Sequence, residues 1–464
     1  MIPVRAALVV ALALVTAACA PPQEAQRLDV APAATAPAQL YRPGPPQPLP
    51  AMRANAELVH DILELGFYME SGREIPQFSR FEGPVRVIAR NVPNAQADAD
   101  LDRLLARLRA EAQIDIARAA PGTDPGGNVI TVDFVPRRVM QQAVPAAACF
   151  VVPNVGGWDD FVANRRSPVI DWTQVVVRTR VAFFVPSDTT GQEIRDCLHE
   201  ELAQALGPLN DLYRLPDSVF NDDNFQTTLT GFDMLVLRAW YAPDLRPGMI
   251  RDEVAVRLPA VMNRLNPAGR RFAGALPGPT PRDWIAAVEQ ALAGTQGQGQ
   301  RRAGAERAQA IAREAGWRDP RLALSLMLTA RLAPREAGEA ALSALLQAAE
   351  IYRRLPGGEV HAAHIDLQLA VQALASGQYP VVLDLTDRAL PLARRTENAA
   401  FEATLSFLRA EALAQLGRVP EAERLIRETR AAAIYGFGSE TAVEARIDEV
   451  ARISGAALRL AARR

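Results

Sequence analysis

Lysine is missing from this sequence. All 51 basic side chains are arginine, set against 53 acidic ones, for a formal net charge of −2. The arginine-only bias is that of a GC-rich genome and carries no functional message. The near balance of charge removes the electrostatic case for nucleic acid. Long apolar runs are missing outside the first 18 residues, so no later segment is long enough to span a bilayer. Histidine is scarce, at four residues. His199-Glu200 looks like the opening of H-E-x-x-H, yet four positions after His199 stands Ala203. Two imidazoles that share a zinc need i, i+4 spacing to leave one helix face together. His199 is therefore read as an exposed or capping helix residue and not as a metal ligand.

Cysteine is almost as rare, at three residues. The first ends a leader. Residues 1–18 carry one early Arg5 and then AALVVALALVTAA, a basic start and an apolar stretch too short for a stable membrane span. Val15-Thr16-Ala17-Ala18 before Cys19 resembles a bacterial lipobox. That resemblance implies cleavage before Cys19, lipidation of its thiol and, with Ala20 in place of Asp, sorting to the outer membrane. The alternative is ordinary secretory cleavage, because Thr16 is a less usual residue at its position. Residues 19–50 are rich in Ala, Pro and Gln and read as a disordered tether. Cys149 and Cys197 then remain as an even pair in an exported chain, which points to a disulfide; the alternative is two buried free thiols.

The middle of the chain mixes periods. Residues 54–68 carry helical apolar spacing. Residues 84–89 alternate as a strand. Residues 97–112 are helical, with Leu101, Leu104, Leu105 and Leu108 on one face. Residues 114–116 make a short strand, residues 128–134 (NVITVDF) a stronger one, residues 148–152 an edge strand, and residues 174–185 (QVVVRTRVAFFV) a long one. Pro186, Ser187 and Asp188 break the chain, and Thr189 or Thr190 caps a helix reaching about Leu206.

The strongest pattern of the chain begins in that helix. Residues 197–241 resemble the active-site helix and turn of metzincin metalloproteases, whose pattern is H-E-x-x-H-x-x-G-x-x-H followed by a Met-turn. The resemblance sets Glu200 at the first ligand position, Glu201 at the catalytic glutamate, Gln204 at the second ligand and Asn210 at the third, and it keeps Gly207. Residues 215–220 (LPDSVF) resemble the Met-turn, with Phe220 in place of Met. Residues 229–233 (LTGFD) resemble the start of the closing helix. From Pro84 the order strand, helix, four strands, helix is also that of the metzincin upper subdomain. The stretch from about Glu70 to Met249 further resembles the bacterial family called domain of unknown function 2927. Glu200-Glu201, Gln204, Leu206-Gly207, Asn210-Asp211, residues 217–222, Leu229-Thr230, Phe232-Asp233 and Leu237-Arg238 carry that resemblance. Loss of the histidines is then a family feature, and the family supplies no activity.

On a helix Glu200 and Gln204 face one way, and Gly207 lets the chain turn to bring Asn210 or Asp211 back toward them. One carboxylate and two amides make a poor zinc site; oxygen ligation suits a harder ion such as calcium. Without a strong Lewis acid, Glu201 has little to work on as a general base. A hydrogen-bonded polar cluster replacing the metal is the leading expectation, with a weak divalent site or a working hydrolase as alternatives. The acidic run at residues 221–224 lacks EF-hand spacing and reads as a solvated turn.

After Met249 the composition shifts. Residues 251–265 and 282–293 are helical, the first suited to pack on the preceding domain, and residues 294–300 (GTQGQGQ) read as a linker. From residue 301 onward Ala, Leu, Arg and Glu recur with helical period, and Gly or Pro breaks suggest paired antiparallel helices. Residues 370–380 (AVQALASGQYP) match residues 410–420 (AEALAQLGRVP). Such units resemble tetratricopeptide-like repeats, which imply a concave face for a peptide or protein; a plain bundle is the alternative.

The expected fold is α+β and zincin-like, followed by an α-helical repeat-like domain. The boundaries are a leader at 1–18, a tether at 19–50, a degenerate metzincin-like domain at 51–266, a connector at 267–300 and a helical domain at 301–464. The expected role is binding or scaffolding at the periplasmic face of the outer membrane. It would use a lipid anchor, a protein or peptide partner on the helical domain, no nucleic acid, and no cofactor beyond a weak divalent metal. The competing role is a metal-dependent peptidase with Glu201 as general base.

Overall fold

The computed structural model describes residues 40–44, 51, 53–120, 126–145, 147–271, 276–294 and 296–455. The leader expected at residues 1–18, and Cys19 with it, lies outside the described residues. The chain divides into two units, one of residues 47–278 and one of residues 1–46 with 279–464.

The first unit is an α+β fold. Helix α1 (Asn55–Phe67) leads to a two-residue strand, β1 (Arg80–Phe81). Then come β2 (Val85–Arg90), α2 (Ala95–Glu111), β3 (Ile116–Arg118) and β4 (Asn128–Val135). Helix α3 (Arg137–Ala143), β5 (Phe150–Pro153) and α4 (Trp158–Asn164) precede β6 (Val177–Arg178) and β7 (Arg180–Pro186). Helices α5 (Gly191–Leu206), α6 (Gly231–Trp240) and α7 (Arg251–Leu265) complete the unit. The main sheet has the spatial order β3-β2-β4-β7-β5. β2, β3, β4 and β7 run parallel, and β5 pairs antiparallel on β7 at the edge. Parallel strands are buried on both faces and read as nearly continuous apolar runs. β7 fits this: residues 181–186 are all buried.

Each face of the sheet has its own core. On one lie Leu101, Leu104, Leu105 and Leu108 of α2 with Ile194, Leu198 and Leu202 of α5, and with Val254, Leu258, Val261 and Met262 of α7. α7 thus packs on this domain as its apolar spacing suggests. On the other lie Met140, Val152, Phe161 and Phe184, with Phe150 and Trp158 packed against them. Cys149, just ahead of edge strand β5, is bonded to Cys197 of α5, with 6.0 Å between the Cα atoms. Closing a loop with a sequence separation of 48 is worth about 4 kcal/mol in the chain-entropy model.

Three expectations change here. The strand expected at residues 174–185 is broken. Trp172–Gln174 is a turn of 3-10 helix capped by the Asp171 side chain. β6 pairs in parallel with β1 in a separate sheet, and β7 starts only at Arg180. Alternation alone cannot distinguish one long strand from two short ones joined at a break. Strand β3 lies two residues later than expected, because pairing with β2 begins at Ile116. Helices α3 and α4 have no counterpart among the expected elements; each is two turns or less, too short for a periodic signal.

The second unit is helical. It contains α8 (Arg282–Leu292), α9 (Gln298–Glu314), α10 (Pro320–Arg331), α11 (Gly338–Arg354) and α12 (Glu359–Ala375). α13 (Tyr379–Arg395), α14 (Ala399–Gln415), α15 (Val419–Phe437) and α16 (Glu440–Ile453) complete it. The segment expected as a linker at residues 294–300 is shorter than that, since α9 already starts at Gln298. The matching stretches at 370–380 and 410–420 form the same turn twice. After α12, Gly377 (φ 72°) donates to Leu374 O and Gln378 to Ala373 O. After α14, Gly417 (φ 79°) donates to Ala414 O and Arg418 to Leu413 O. These are Schellman turns, and the left-handed position is where glycine is favoured. Pro380 and Pro420 then stand in the first turns of α13 and α15, where the missing N–H costs nothing. The expected tether is also ordered in part: Tyr41 stacks on Tyr435 of α15, with ring centroids 4.6 Å apart. Among the described residues no helix is long and apolar enough to cross a membrane.

Candidate functional site

Helix α5 carries the aligned residues, and both its ends are fixed. At its start the Thr190 hydroxyl accepts from Glu193 N at 3.1 Å. At its end the last carbonyls of a helix need outside donors. The buried guanidinium of Arg178 supplies them, donating to Gln204 O (2.7 Å), Ala205 O (2.8 Å) and Gly207 O (2.5 Å). Its Nε also donates to Ser79 Oγ at 3.1 Å, and its Cζ lies over the Trp172 ring, 4.8 Å from the ring centroid. Burial pulls the Arg178 pKa down to about 10. A positive charge at a helix C-terminus also complements the helix dipole. At Gly207 a Cβ would meet Leu237 at 3.3 Å and Trp240 at 3.5 Å. The chain therefore turns tightly against α6. Leu209 N and Asn210 N then both donate to Leu65 O of α1.

The loop from Asp211 to Thr230 is held by a few polar centres. Arg53 pairs with Asp61 of α1 and with Asp217. Arg214 pairs with Asp61 and Glu64. Buried Asp233 accepts from Ser218 Oγ (2.6 Å), Val219 N (3.3 Å) and Thr230 N (2.8 Å). Thr230 in turn accepts from Asp233 N, which completes a capping box on α6. Asp233 thus joins the LPDSVF turn to the LTGFD helix start. Burial raises the Asp233 carboxyl to about 7 against the pull of those donors. Phe220 is fully buried in the core, and its carbonyl accepts from Leu212 N at 3.0 Å.

His199 corrects the sequence expectation: it is buried, not exposed. Its Nδ1 accepts from Leu229 N at 3.0 Å, so the imidazole serves the residue just before the α6 cap. Burial first, then the charges of Arg107, Arg195 and Arg103, push its pKa well below the ordinary value.

The remaining aligned residues divide into those that converge and one that does not. Gln204 Nε2 lies 3.4 Å from both Glu70 Oε1 and Asp211 Oδ2. Oxygen atoms of Glu70, Asp211 and Asp222 all lie within 4.8 Å of one another. Glu200 is raised to about 8, by burial first and then by Asp222, Glu70 and Asp196. Glu201 is pushed well above the usual range by burial, Glu200, Glu70 and Asp222, and its Oε2 is buried without a hydrogen-bond partner. Asp211 is raised likewise, by burial first and then by Asp222, Glu70 and Glu200. Asn210 turns the other way and donates to Glu64 O at 3.0 Å. Its neighbour Asp211 takes the inward position instead.

Two members of this cluster carry no signal of their own in the sequence. Glu70 follows α1, more than a hundred residues before Gln204, and nothing local marks it. Asp222 sits in the acidic run read as a solvated turn. That turn is in fact partly buried at Asn221 and Asp223, with Asp223 N donating to Asn221 Oδ1 (3.1 Å) and Asn221 Nδ2 to Leu215 O (2.9 Å). The density of Asp and Asn was the available hint.

Chemically, the site offers oxygen donors and protonatable carboxyls, and no imidazole or thiolate. No curated protein and no solved structure matches the chain. A family model does: residues 55–260 match the family described as a protein of unknown function, DUF2927.

Proposed function

We propose that the chain is an envelope binding or scaffolding protein. In this reading residues 51–266 form a metzincin-like domain that has given up hydrolysis. The helical unit offers its repeat-like array to a protein or peptide, and Cys19 provides a lipid anchor at the outer membrane. The observation that carries the reading is the state of Glu201. The residue aligned with the catalytic general base is only 3% exposed. Its carboxyl is pushed well above the usual carboxylate range by burial and by its acidic neighbours. A general base must be ionised and within reach of the water it activates, and burial with an upward-shifted pKa works against both at Glu201. Glu200, Gln204 and Asn210 in the ligand positions supply no nitrogen for zinc. The element order and the coupling of the LPDSVF turn to the LTGFD helix through Asp233 support the metzincin-like part. The test is turnover of casein and of a mixed peptide pool by purified protein, with zinc and with calcium. No turnover is expected. Hydrolysis that disappears in Glu201→Gln would establish the competing peptidase instead.

A further inference from the structure

We propose that Glu70, Asp211 and Asp222, with Glu200 and Gln204 beside them, form a binding site for one calcium-like divalent cation. Three separate stretches of chain bring these carboxylates together. Glu70 follows α1, Asp211 follows the Gly207 turn, and Asp222 lies beyond Phe220. Their oxygens fall within 4.8 Å of one another. That is the reach of two ligands on opposite sides of an ion with bonds of about 2.3–2.6 Å. Like charges so gathered repel, and that repulsion is relieved either by protons, as the raised Asp211 carboxyl shows, or by a cation between them.

A second observation points the same way. Asp211 is 8% exposed, and its Oδ1 has no hydrogen-bond partner. Its other oxygen takes a long 3.4 Å contact from Gln204, and the carboxyl also faces that of Glu70. A buried carboxylate oxygen left unpaired carries its full desolvation cost, and a cation removes that cost. The donor set selects the ion. All candidate ligands are oxygen, which favours a hard cation over zinc or copper. Magnesium demands shorter bonds and near-ideal octahedral geometry, which carboxylates drawn from three separate segments meet less well. Glu70 is exposed and Asp222 half-buried, so the ion has a route in from solvent. Its effect would be to staple the 208–229 loop to the end of α1. This is independent of whether the domain hydrolyses anything.

The test uses the purified full-length protein, stripped with chelator and desalted. Calcium, magnesium and zinc chlorides are titrated separately by calorimetry and by thermal melting. Calcium should bind once per chain in the range of about 10⁻⁵ to 10⁻³ M and raise Tm by several degrees, with a smaller shift from magnesium. Glu70→Gln and Asp222→Asn should each weaken calcium at least about tenfold. Both should melt, without metal, no lower than the parent, because each removes a repulsive charge. That unchanged or higher metal-free Tm separates lost ligation from lost folding. Absence of heat and of any Tm shift with all three ions up to about 10 mM would overturn the proposal. So would an equal calcium shift in the parent and in the Glu70→Gln, Asp222→Asn double variant.

Discussion

The metal-free protein should lose stability as pH rises from about 4.5 to 8, and Glu200→Gln should remove a large part of that loss. Glu200 titrates near 8 when folded, against 4.5 for the free side chain. Between those two values the unfolded chain has lost the proton and the folded chain has kept it. The folded state then binds more protons than the unfolded state, so unfolding free energy falls with rising pH. The slope is about 1.36 kcal/mol per pH unit for one such group. Over the 2.5 units between 4.5 and 7 the loss comes to about 3 kcal/mol, an upper value because neighbouring acids share the protons. Glutamine keeps the shape and cannot ionise. Parent and variant should therefore be equally stable near pH 4.5, and the variant more stable at pH 7 to 8. Buried Asp233, raised to about 7, slopes the same way but is untouched by the substitution, so the difference between the two proteins isolates Glu200. Urea unfolding at pH 4.5, 6, 7 and 8 in chelator measures it. A variant no more stable than the parent at pH 8 would refute the reasoning. It would mean that Glu200 ionises freely and that the acidic neighbours do not act on it.

Other perturbations test other joints of the molecule. Cys149→Ala should lose up to about 4 kcal/mol in non-reducing urea melts, and reductant should lower the parent to the same level. Arg178→Met strips three carbonyls at the end of α5 of their donor. It should cost at least about 3 kcal/mol by chemical denaturation, with the loss greater than for the exposed Arg354→Met control. Gly417→Ala places a Cβ at φ 79° with open space around it. The cost is then backbone strain alone, about 1 kcal/mol in the melting of the helical unit. Cys19→Ser should move the protein from the membrane fraction to the soluble one on cell fractionation, or leave it unprocessed; an unchanged membrane fraction would dispose of the lipid anchor.

The sequence by itself determined what rests on local pattern. Thr190 before an amphipathic run starts α5, and Thr230 with Asp233 starts α6, because a cap is satisfied within three residues of itself. The alternation of residues 128–134 and the leucine stripe of α2 located the sheet and its cover. The even pair Cys149 and Cys197 pointed to the bond that joins them. The repeated Gly-x-x-Pro stretches fixed the two Schellman turns, because a left-handed residue followed by proline is written in single positions. What only tertiary structure decided is direction and distance between remote segments. The alignment sets Asn210 at the third ligand position, and contacts with Leu65 O and Glu64 O turn it away, so that Asp211 faces inward instead. Glu70, Asp222 and Arg178 each lie on a different segment, and no local rule ties them to α5. His199 reads as exposed until the helix is packed and the Leu229 amide is found to need its nitrogen. A local rule sees the energy of one turn of chain. The site depends on Coulomb and desolvation terms, which act through space, and these exist only once the loops have been brought together.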